Sequence, residues 1–191
     1  LFEVEIPLAR VLSSMERDGF GVNREGIEEF QKELAEKLEI SLKRIYELAG
    51  CEFNVNSPKQ LGDVLFSPEK LSLPHGKKTK SGYSTNVDVL EALKDKHPII
   101  PEILEYRTLA KLKSTYCDGL LKVIDNDGRV HSTLKQTETR TGRISSTEPN
   151  LQNIPVRREL GREMRKFFVA DEGKLLVDAD YSQIELRVLA A

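Results

Sequence analysis

The sequence predicts an α+β fold in which a helical module is followed by a segment that contains β-strands. Between residues 24 and 124, apolar residues recur every three or four positions, which is the period of amphipathic helices. From residue 125 onward, turn-forming residues appear and apolar residues alternate or form short runs, which indicates strands. The chain of 191 residues is long enough for one large domain or two small ones.

Two helices are predicted in the first part of the helical module. The first runs from residue 24 to residue 48, and Gly50 follows it where a left-handed glycine often closes a helix. The second begins at Pro58, because proline is favoured in the first helical turn. Ser57 and Gln60 precede and follow this proline with the spacing of an S-x-x-Q capping box, in which each side chain caps a backbone N–H.

Two further helices complete the predicted module. The third begins near Thr85, where Thr85 and Asp88 repeat the capping-box spacing. It ends before Pro98, because the residue before a proline disfavours helical dihedral angles. The fourth helix runs from about residue 101 to residue 124. Its apolar face is predicted to carry Ile103, Leu109, Leu112, Tyr116, Leu120 and Ile124.

Strand signals follow the helical module. Residues 125–128 (Asp-Asn-Asp-Gly) are typical of a tight turn, and residues 130–136 interleave β-branched and polar residues as a strand does. The apolar run at residues 175–177 predicts a buried strand over residues 174–180. These segments are too few to close a sheet, so the sequence predicts an incomplete sheet-containing domain.

Two carboxylates, Asp178 and Asp180, end the last predicted strand. Residues two apart on a strand point to one face, and carboxylates suit hard cations such as Mg²⁺. Ser182 and Glu185 match a capping box for a final helix, whose first N–H groups suit a phosphate. A simpler alternative stays open, in which Glu185 only caps and Asp178 only faces water. The inner face of this helix is predicted to carry Ile184, Val188 and Leu189.

The composition is that of an ordinary soluble protein. The chain is 39% hydrophobic and 31% charged, and it has no tryptophan. Its two cysteines, Cys51 and Cys117, are expected to be reduced core residues rather than a disulfide framework. No apolar run approaches the roughly 20 residues that span a bilayer, and Glu3 and Glu5 interrupt any signal-peptide pattern. We therefore expect a cytoplasmic protein without a membrane partner.

Basic residues are concentrated locally, although the net charge is −2. Residues 135–166 hold eight basic and four acidic side chains, and a second basic cluster lies at residues 77–80. Basic patches bind phosphates even on an acidic chain. Residues 141–158 (TGRISSTEPNLQNIPVRR) add amide donors that suit base edges. Two alternatives stay open on this ground alone: nucleic-acid contacts, or solvated loops folded through their own turns.

Five segments carry a family resemblance when they are taken together. The two most specific are TGRISSTEPNLQNIPVR at residues 141–157 and DYSQIELRVLA at residues 180–190. Upstream lie NSPKQLGDVLF at 56–66, KKTKSGYST at 77–85 and YRTLAKLKSTY at 106–116. In this order the segments resemble the family A DNA polymerases of the bacterial DNA polymerase I type, and DYSQIELR is similar to their first catalytic palm motif.

The resemblance implies template-directed addition of dNTPs to a primer 3′-OH in replication and repair, with two Mg²⁺ ions in the complete enzyme. Asp180 is implied as the catalytic, metal-holding carboxylate, and the backbone carbonyl of Tyr181 as a further ligand. Asp178 is not implied, because the family is variable there and takes its second catalytic aspartate from a later strand. The resemblance implies nucleotide binding for Ser182, Gln183, Ile184 and Glu185, and Glu185 would crowd the sugar and disfavour a 2′-OH.

The resemblance also implies contacts with a primer–template duplex. Contacts along its minor groove, where acceptors look alike for A·T and T·A pairs, are implied for Arg143, Asn150, Gln152 and Asn153. Arg157 would contact the nucleic-acid backbone. Phosphate contacts by the helical module are implied for Asn56, Ser57, Gln60, Lys77, Lys78, Lys80, Lys111 and Lys113.

The same resemblance implies a division of the chain. Residues 1–23 would be an N-terminal palm-edge segment, and residues 24–124 a helical thumb of long antiparallel helices. Residues 125–191 would be the first part of a palm with a partial antiparallel β-sheet, cut within the helix after DYSQIELR, where the family usually has a histidine at position 191.

We therefore expect a monomeric fragment that binds primer–template DNA but does not catalyse nucleotide addition alone. Two alternatives stay open. One is a non-catalytic DNA-binding or structural module derived from a polymerase thumb and palm. The other is a single-subunit RNA polymerase or nuclease relative, and Glu185 argues against its use of ribonucleotides.

Overall fold

The computed structural model describes residues 1–76, 78–79, 82–154 and 159–190, with the side chains of 78, 79 and 159–161 left out. Within this part of the chain the fold class is α+β, as predicted. The α-helices described are Glu5–Asp18 (α1), Arg24–Ala49 (α2), Pro58–Phe66 (α3), Val87–Ala92 (α4), Ile99–Lys111 (α5), Asp118–Val123 (α6), Glu159–Arg165 (α7) and Ile184–Ala190 (α8). The strands described are Phe20–Val22 (β1), Lys78–Thr79 (β2), Gly82–Tyr83 (β3), Arg129–Val130 (β4), Thr133–Lys135 (β5), Ser145–Thr147 (β6) and Phe168–Val169 (β7).

The chain divides into two compact units. The helical unit is Arg24–Val123, and the mixed unit is Leu1–Asn23 together with Ile124–Ala191. None of the helices in the described residues is both long and apolar enough to cross a membrane. Cys51 and Cys117 are free thiols, and burial raises the pKa of the Cys117 thiol to about 11.

The core of the helical unit lies where α2, α3 and α5 pack together. α2 ends at Ala49, and Gly50 has φ +68°, as the predicted closing glycine requires. Fully buried side chains on α2 and α5 face each other because their apolar residues recur at helical spacing. The buried cluster comprises Ile45, Val55, Leu61, Leu65, Phe66, Leu73, Leu90, Leu93, Ile99, Ile100 and Ile103.

The start of α3 at Pro58 is as predicted, but its capping box is only half formed. Ser57 Oγ accepts a hydrogen bond of 3.4 Å from the Gln60 N–H. The Gln60 side chain does not return the bond. Its Oε1 accepts from the Asn54 N–H at 2.7 Å, because the Ser57 N–H already donates to the Asn54 carbonyl at 3.0 Å.

The prediction that Thr85 caps the next helix is wrong. α4 spans Val87–Ala92, and Asn86 Oδ1 accepts from the Val89 N–H at 3.0 Å. Thr85 is instead buried, and its Oγ1 accepts a 3.2 Å hydrogen bond from Arg107. Asparagine is among the strongest capping residues, so the cap falls one residue later than the spacing predicts.

The fourth predicted helix is continuous but not regular. It begins two residues early, at Ile99, and a π-helical turn over Leu112–Cys117 joins α5 to α6. Leu112, Tyr116 and Leu120 are buried and are spaced by four residues. In a regular α-helix each such step would rotate the side chain by about 40° away from the core. The wider π turn therefore keeps this row of side chains on the buried face.

Replacing Ile103 with alanine should remove about 2–5 kcal/mol from the free energy of unfolding, because the lost methyl groups leave a cavity. Ile103 has no exposed surface, whereas Ile40 on α2 is 67% exposed. Ile40→Ala is therefore the matched control and should change stability by less than about 0.5 kcal/mol. Urea unfolding followed by circular dichroism measures both values, and equal losses for the two variants would contradict the packing of α2 on α5.

In the part that the structure describes, the mixed unit contains two small antiparallel sheets. In the three-stranded sheet the order is β4-β1-β7, and Phe20 pairs with Val130 while Gly21 pairs with Val169. In the two-stranded sheet β5 pairs with β6, and Leu134 lies opposite Ser146. The central strand β1 thus comes from the start of the chain and its neighbours come from residues beyond 124.

The predicted turn at residues 125–128 is confirmed, but the strand predicted over residues 130–136 is broken. The Gly128 N–H donates to the Asp125 carbonyl at 3.0 Å, and Gly128 has φ +75°. After Val130 the chain leaves the first sheet, and it enters the second at Thr133. One predicted strand is therefore two short strands in different sheets.

His131 lies at this break and ties it to the end of α1. Its Nδ1 is 2.8 Å from the Glu16 carbonyl, and its Nε2 is 3.0 Å from Asp127 Oδ2. Both ring nitrogens face acceptors, so the protonated ring can donate two hydrogen bonds. The contact with the Glu16 carbonyl raises the pKa of His131 most, and the contact with Asp127 raises it further. Gly19 packs against this ring, and a Cβ there would lie only 2.7 Å from it.

Two predictions for the end of the chain are wrong. Residues 174–180 form no strand, and Leu175, Leu176 and Val177 are 89%, 56% and 87% exposed. On α8, the predicted inner face of Ile184, Val188 and Leu189 is 43%, 69% and 84% exposed. A strand needs hydrogen-bonding neighbours and an apolar helix face needs a packed layer, and the described residues supply neither here.

Candidate functional site

Residues 178–185 do not adopt the strand-and-cap geometry that the sequence predicts. Because residues 174–180 form no strand, the prediction that Asp178 and Asp180 share one strand face is wrong. α8 begins at Ile184, so its capping position falls on Gln183, which has φ +53°. The predicted box of Ser182 with Glu185 is therefore not formed. The Ser182 carbonyl accepts a 2.8 Å hydrogen bond from Arg187 Nε instead.

The Asp180 carboxylate and Tyr181 are exposed beside the start of α8. The carboxylate and the Tyr181 backbone carbonyl are oxygen donors, which is the ligand type that Mg²⁺ prefers. Mg²⁺ keeps several waters and needs only one or two protein carboxylates, so these two groups fit part of its coordination shell. Among the described residues, no group of three or more His, Cys, Asp or Glu side chains is close enough to hold a metal ion.

Glu185 and Arg143 connect the two most specific motifs. They are 42 positions apart in the sequence, and their side chains form an ion pair although 66% and 74% exposed. The Glu185 backbone N–H, and then Arg143, hold the pKa of the Glu185 carboxyl below its usual range. The carboxylate is therefore charged at neutral pH, and the fold brings Arg143 to the start of α8.

The loop after β6 uses part of its own amide donors. Gln152 Nε2 donates to the Ile144 carbonyl at 2.9 Å, and its Oε1 accepts from the Ser146 N–H at 3.3 Å. Asn150 Oδ1 accepts from the Gln152 N–H at 3.0 Å and begins a 3₁₀ turn over Leu151–Asn153. The Gln152 side chain therefore stabilises the loop itself, as expected for a loop that folds through its own turns. Asn150 and Asn153 remain exposed.

The start of α3 gathers three predicted contact residues of the helical unit. Asn56 Nδ2 donates to the hydroxyl of Tyr106 on α5 at 3.3 Å. Ser57 and Gln60 shape the first turn as described above; Asn56 and Gln60 are exposed, and Ser57 is half-buried. The hydrogen bonds of these side chains therefore stabilise the start of α3 whether or not a ligand is bound.

The two predicted lysines near the π turn differ in their surroundings. Lys113 Nζ is 3.5 Å from Asp118 Oδ1, and the same carboxylate oxygen accepts a 2.5 Å hydrogen bond from Gln31 on α2. Lys111 is exposed in the last turn of α5. The charge of Lys113 is thus partly balanced within the unit. Lys77, Lys80 and Arg157 lie outside the described residues, as does the side chain of Lys78.

Three residues that the sequence analysis does not single out contact predicted site residues. Tyr106 binds Asn56, Asp118 binds Lys113, and Ser146 binds Gln152. Asp118 follows Lys113 by five positions, a spacing that gives a contact only through the π turn. No sequence pattern predicts the contacts of Tyr106 and Ser146, because they depend on tertiary packing alone.

Comparison with known proteins assigns the family. Residues 24–191 match the family model described as DNA polymerase family A. This chain belongs to DNA polymerase family A. Among family members, DNA polymerase I of Geobacillus stearothermophilus is 57% identical over 192 residues, and that of Lactococcus lactis subsp. cremoris is 56% identical over 190 residues. Both alignments cover 100% of this chain but only 22% and 21% of the relatives, so the chain spans about a fifth of their length.

A solved structure shares the fold of this chain. It is the POL domain of Pol1 from M. smegmatis in complex with DNA primer-template and dNTP. The two structures superpose with a TM-score of 0.86 at 44% sequence identity, over 98% of this chain and 33% of the other. The family A resemblance stated from the sequence is thereby confirmed.

Proposed function

We propose that this chain is the thumb, residues 24–124, and the first part of the palm, residues 125–191, of a bacterial DNA-directed DNA polymerase of the polymerase I type. Residues 1–23 would form the palm edge. The complete protein would add dNTPs to a primer 3′-OH under template direction, in replication and repair. The observation that best supports this proposal is the family A match over residues 24–191, which includes the DYSQIELR motif at 180–187. The protein would act as a monomer in the cytoplasm.

Asp180 is proposed as the catalytic carboxylate of this chain. Its side chain and the Tyr181 carbonyl would hold Mg²⁺, and two such ions, when bound, stabilise the attacking and leaving oxygens of an in-line displacement. The exposure of Asp180 supports this role, since a ligand and a nucleotide can both reach it. Among the described residues, no group of three or more His, Cys, Asp or Glu side chains is close enough to hold a metal ion, and the chain alone is expected not to catalyse addition.

The residues that follow Asp180 are proposed to bind the incoming nucleotide. Ser182, Gln183 and Ile184 would lie along its triphosphate. Glu185 would crowd the C2′ position of its sugar and so disfavour a ribonucleotide. The ion pair with Arg143 supports this placement, because it brings the Glu185 carboxylate to a residue that is itself proposed to meet the duplex.

Two groups of residues are proposed to hold the primer–template duplex. Arg143, Asn150 and Asn153 would meet the minor groove, where they check pair shape without reading sequence. Gln152 would contribute through the loop conformation that it stabilises, and Arg157 would contact the nucleic-acid backbone. The thumb contacts to phosphates are proposed for Asn56, Ser57, Gln60, Lys77, Lys78, Lys80, Lys111 and Lys113.

The chain alone should bind duplex DNA weakly and without sequence preference, with a Kd of roughly 10⁻⁴ to 10⁻⁶ M at physiological salt. Fluorescence anisotropy of a labelled duplex should show log K falling linearly with log salt. Lys111→Ala should lower the salt slope by about one, because one phosphate contact is lost. Lys37→Ala, an exposed lysine on α2, is the matched control and should keep the wild-type slope. Binding that is equal at low and high salt would contradict the proposed DNA contacts.

A further inference from the structure

Two buried serines lie beneath the proposed DNA-contacting turn. Ser132 follows β4 and Ser146 is the middle residue of β6, and they are 8% and 3% exposed. Their hydroxyl oxygens are 2.6 Å apart although the residues are 14 positions apart in the sequence. Buried hydroxyls are costly unless their hydrogen bonds are satisfied, so the partners of this pair decide what it does.

The partners of the pair are backbone groups on both sides of Asn150. Ser132 Oγ is 2.7 Å from the Pro149 carbonyl and 3.2 Å from the Thr147 carbonyl. Ser146 Oγ is 3.1 Å from the Pro149 carbonyl and accepts a 3.1 Å hydrogen bond from the Leu151 N–H. The residue before Asn150 and the residue after it are therefore both held by the serine pair.

The hydrogen-bonding capacity of the pair matches this arrangement. Each hydroxyl has one proton to donate and two lone pairs to accept with. In one assignment that uses every proton, Ser132 donates to the Pro149 carbonyl, Ser146 donates to Ser132, and the Leu151 N–H donates to Ser146. These hydrogen bonds form one chain between the Leu151 N–H and the Pro149 carbonyl, and such chains strengthen their members in a buried setting.

We propose that Ser132 and Ser146 are positioning residues for primer–template binding. By holding Pro149 and Leu151, they fix the backbone from which the side chains of Asn150 and Asn153 reach the minor groove. This inference rests on the proposed function of those two asparagines. It goes beyond that function because neither serine contacts the duplex.

Ser132→Ala in the full-length protein should raise the Kd for primer–template about 5- to 10-fold, since the loss of one net hydrogen bond is worth about that factor. The salt slope should stay at the wild-type value, because no phosphate contact is removed. The rate of nucleotide addition at saturating primer–template should change less than the Kd does. Ser146→Ala should behave in the same way, and Ser132→Thr, which keeps the hydroxyl, should restore binding.

A double-mutant cycle distinguishes positioning from a general loss of stability. In an Asn150→Ala background, Ser132→Ala should raise the Kd by less than about twofold, because coupled residues are not additive. Ser145→Ala is the control. Its side chain is on the opposite face of the same strand, and the Kd should be that of the wild type.

The remaining outcomes distinguish failure of the proposed function from failure of the positioning role. If the wild-type protein binds no primer–template, the proposed function itself fails. If it binds, but Ser132→Ala and Ser146→Ala bind equally well, only the positioning role is overturned. It is also overturned if the two effects of Ser132→Ala and Asn150→Ala are additive, if Ser145→Ala loses as much affinity, or if neither serine-to-alanine variant folds.

Discussion

Glu185→Ala in the full-length protein is expected to raise the use of ribonucleotides relative to deoxyribonucleotides by about 10²-fold, the scale on which a pocket separates substrates by one hydroxyl. In its proposed role, the Glu185 side chain would occupy the space that a 2′-OH needs, and alanine would vacate that space. The ratio of kcat/KM for a single rNTP to that for the matching dNTP measures the effect. An unchanged ratio would show that Glu185 does not select the sugar.

Glu185→Gln is the matched control for this prediction. Glutamine keeps the bulk of the side chain but removes the charge that pairs with Arg143. If crowding selects the sugar, Glu185→Gln keeps most of the discrimination and Glu185→Ala loses it. Equal losses in the two variants would instead assign selection to the carboxylate charge.

The helical unit could be predicted well from the sequence because its signals are local. The period of α2, the closing Gly50 and the start of α3 all depend on residues that are near one another in the chain. The sequence does not decide which residue caps α4, because Thr85 and Asn86 are adjacent and both can cap a helix. The contact of Thr85 with Arg107, 22 positions away, decides the matter, and no local pattern carries that information.

The mixed unit could be predicted less well, because a strand depends on its neighbours. The strand predicted over residues 130–136 is divided because its two halves pair with different partners. The run at residues 175–177 has strand composition but no partner among the described residues, and its side chains are exposed. A pattern of apolar residues predicts that a segment can be buried, but packing decides whether it is.

The candidate site could be located from the sequence only through the family resemblance. Residue types alone left open both a metal site at Asp178 and Asp180 and the simpler alternative in which Glu185 only caps and Asp178 only faces water. The structure adds the pairing of Arg143 with Glu185 and the local use of the Gln152 amide. Neither contact has a sequence signal, because the first depends on how the segment before β6 lies against α8 and the second on how the loop after β6 folds. The local hydrogen bonds of the Gln152 and Asn150 side chains are therefore a structural result.

Asp180→Ala is expected to have the largest effect on catalysis. Several kcal/mol of transition-state stabilisation depend on bound Mg²⁺, so losing a ligand should slow nucleotide addition about 10³-fold or more. Binding of primer–template should change by less than about twofold, because the interaction that is lost acts mainly in the transition state. Asp178→Ala is the matched control, since it removes a carboxylate two positions away that has no proposed metal role.

The most direct test is the single-turnover rate at which the full-length protein adds one dNTP to a bound primer in the presence of Mg²⁺. We expect Asp180→Ala to bind the primer–template like the wild type but to add the nucleotide at least about 10³-fold more slowly, and Asp178→Ala to add it at nearly the wild-type rate. Addition by Asp180→Ala at the wild-type rate would rule out the proposed metal-holding role of Asp180.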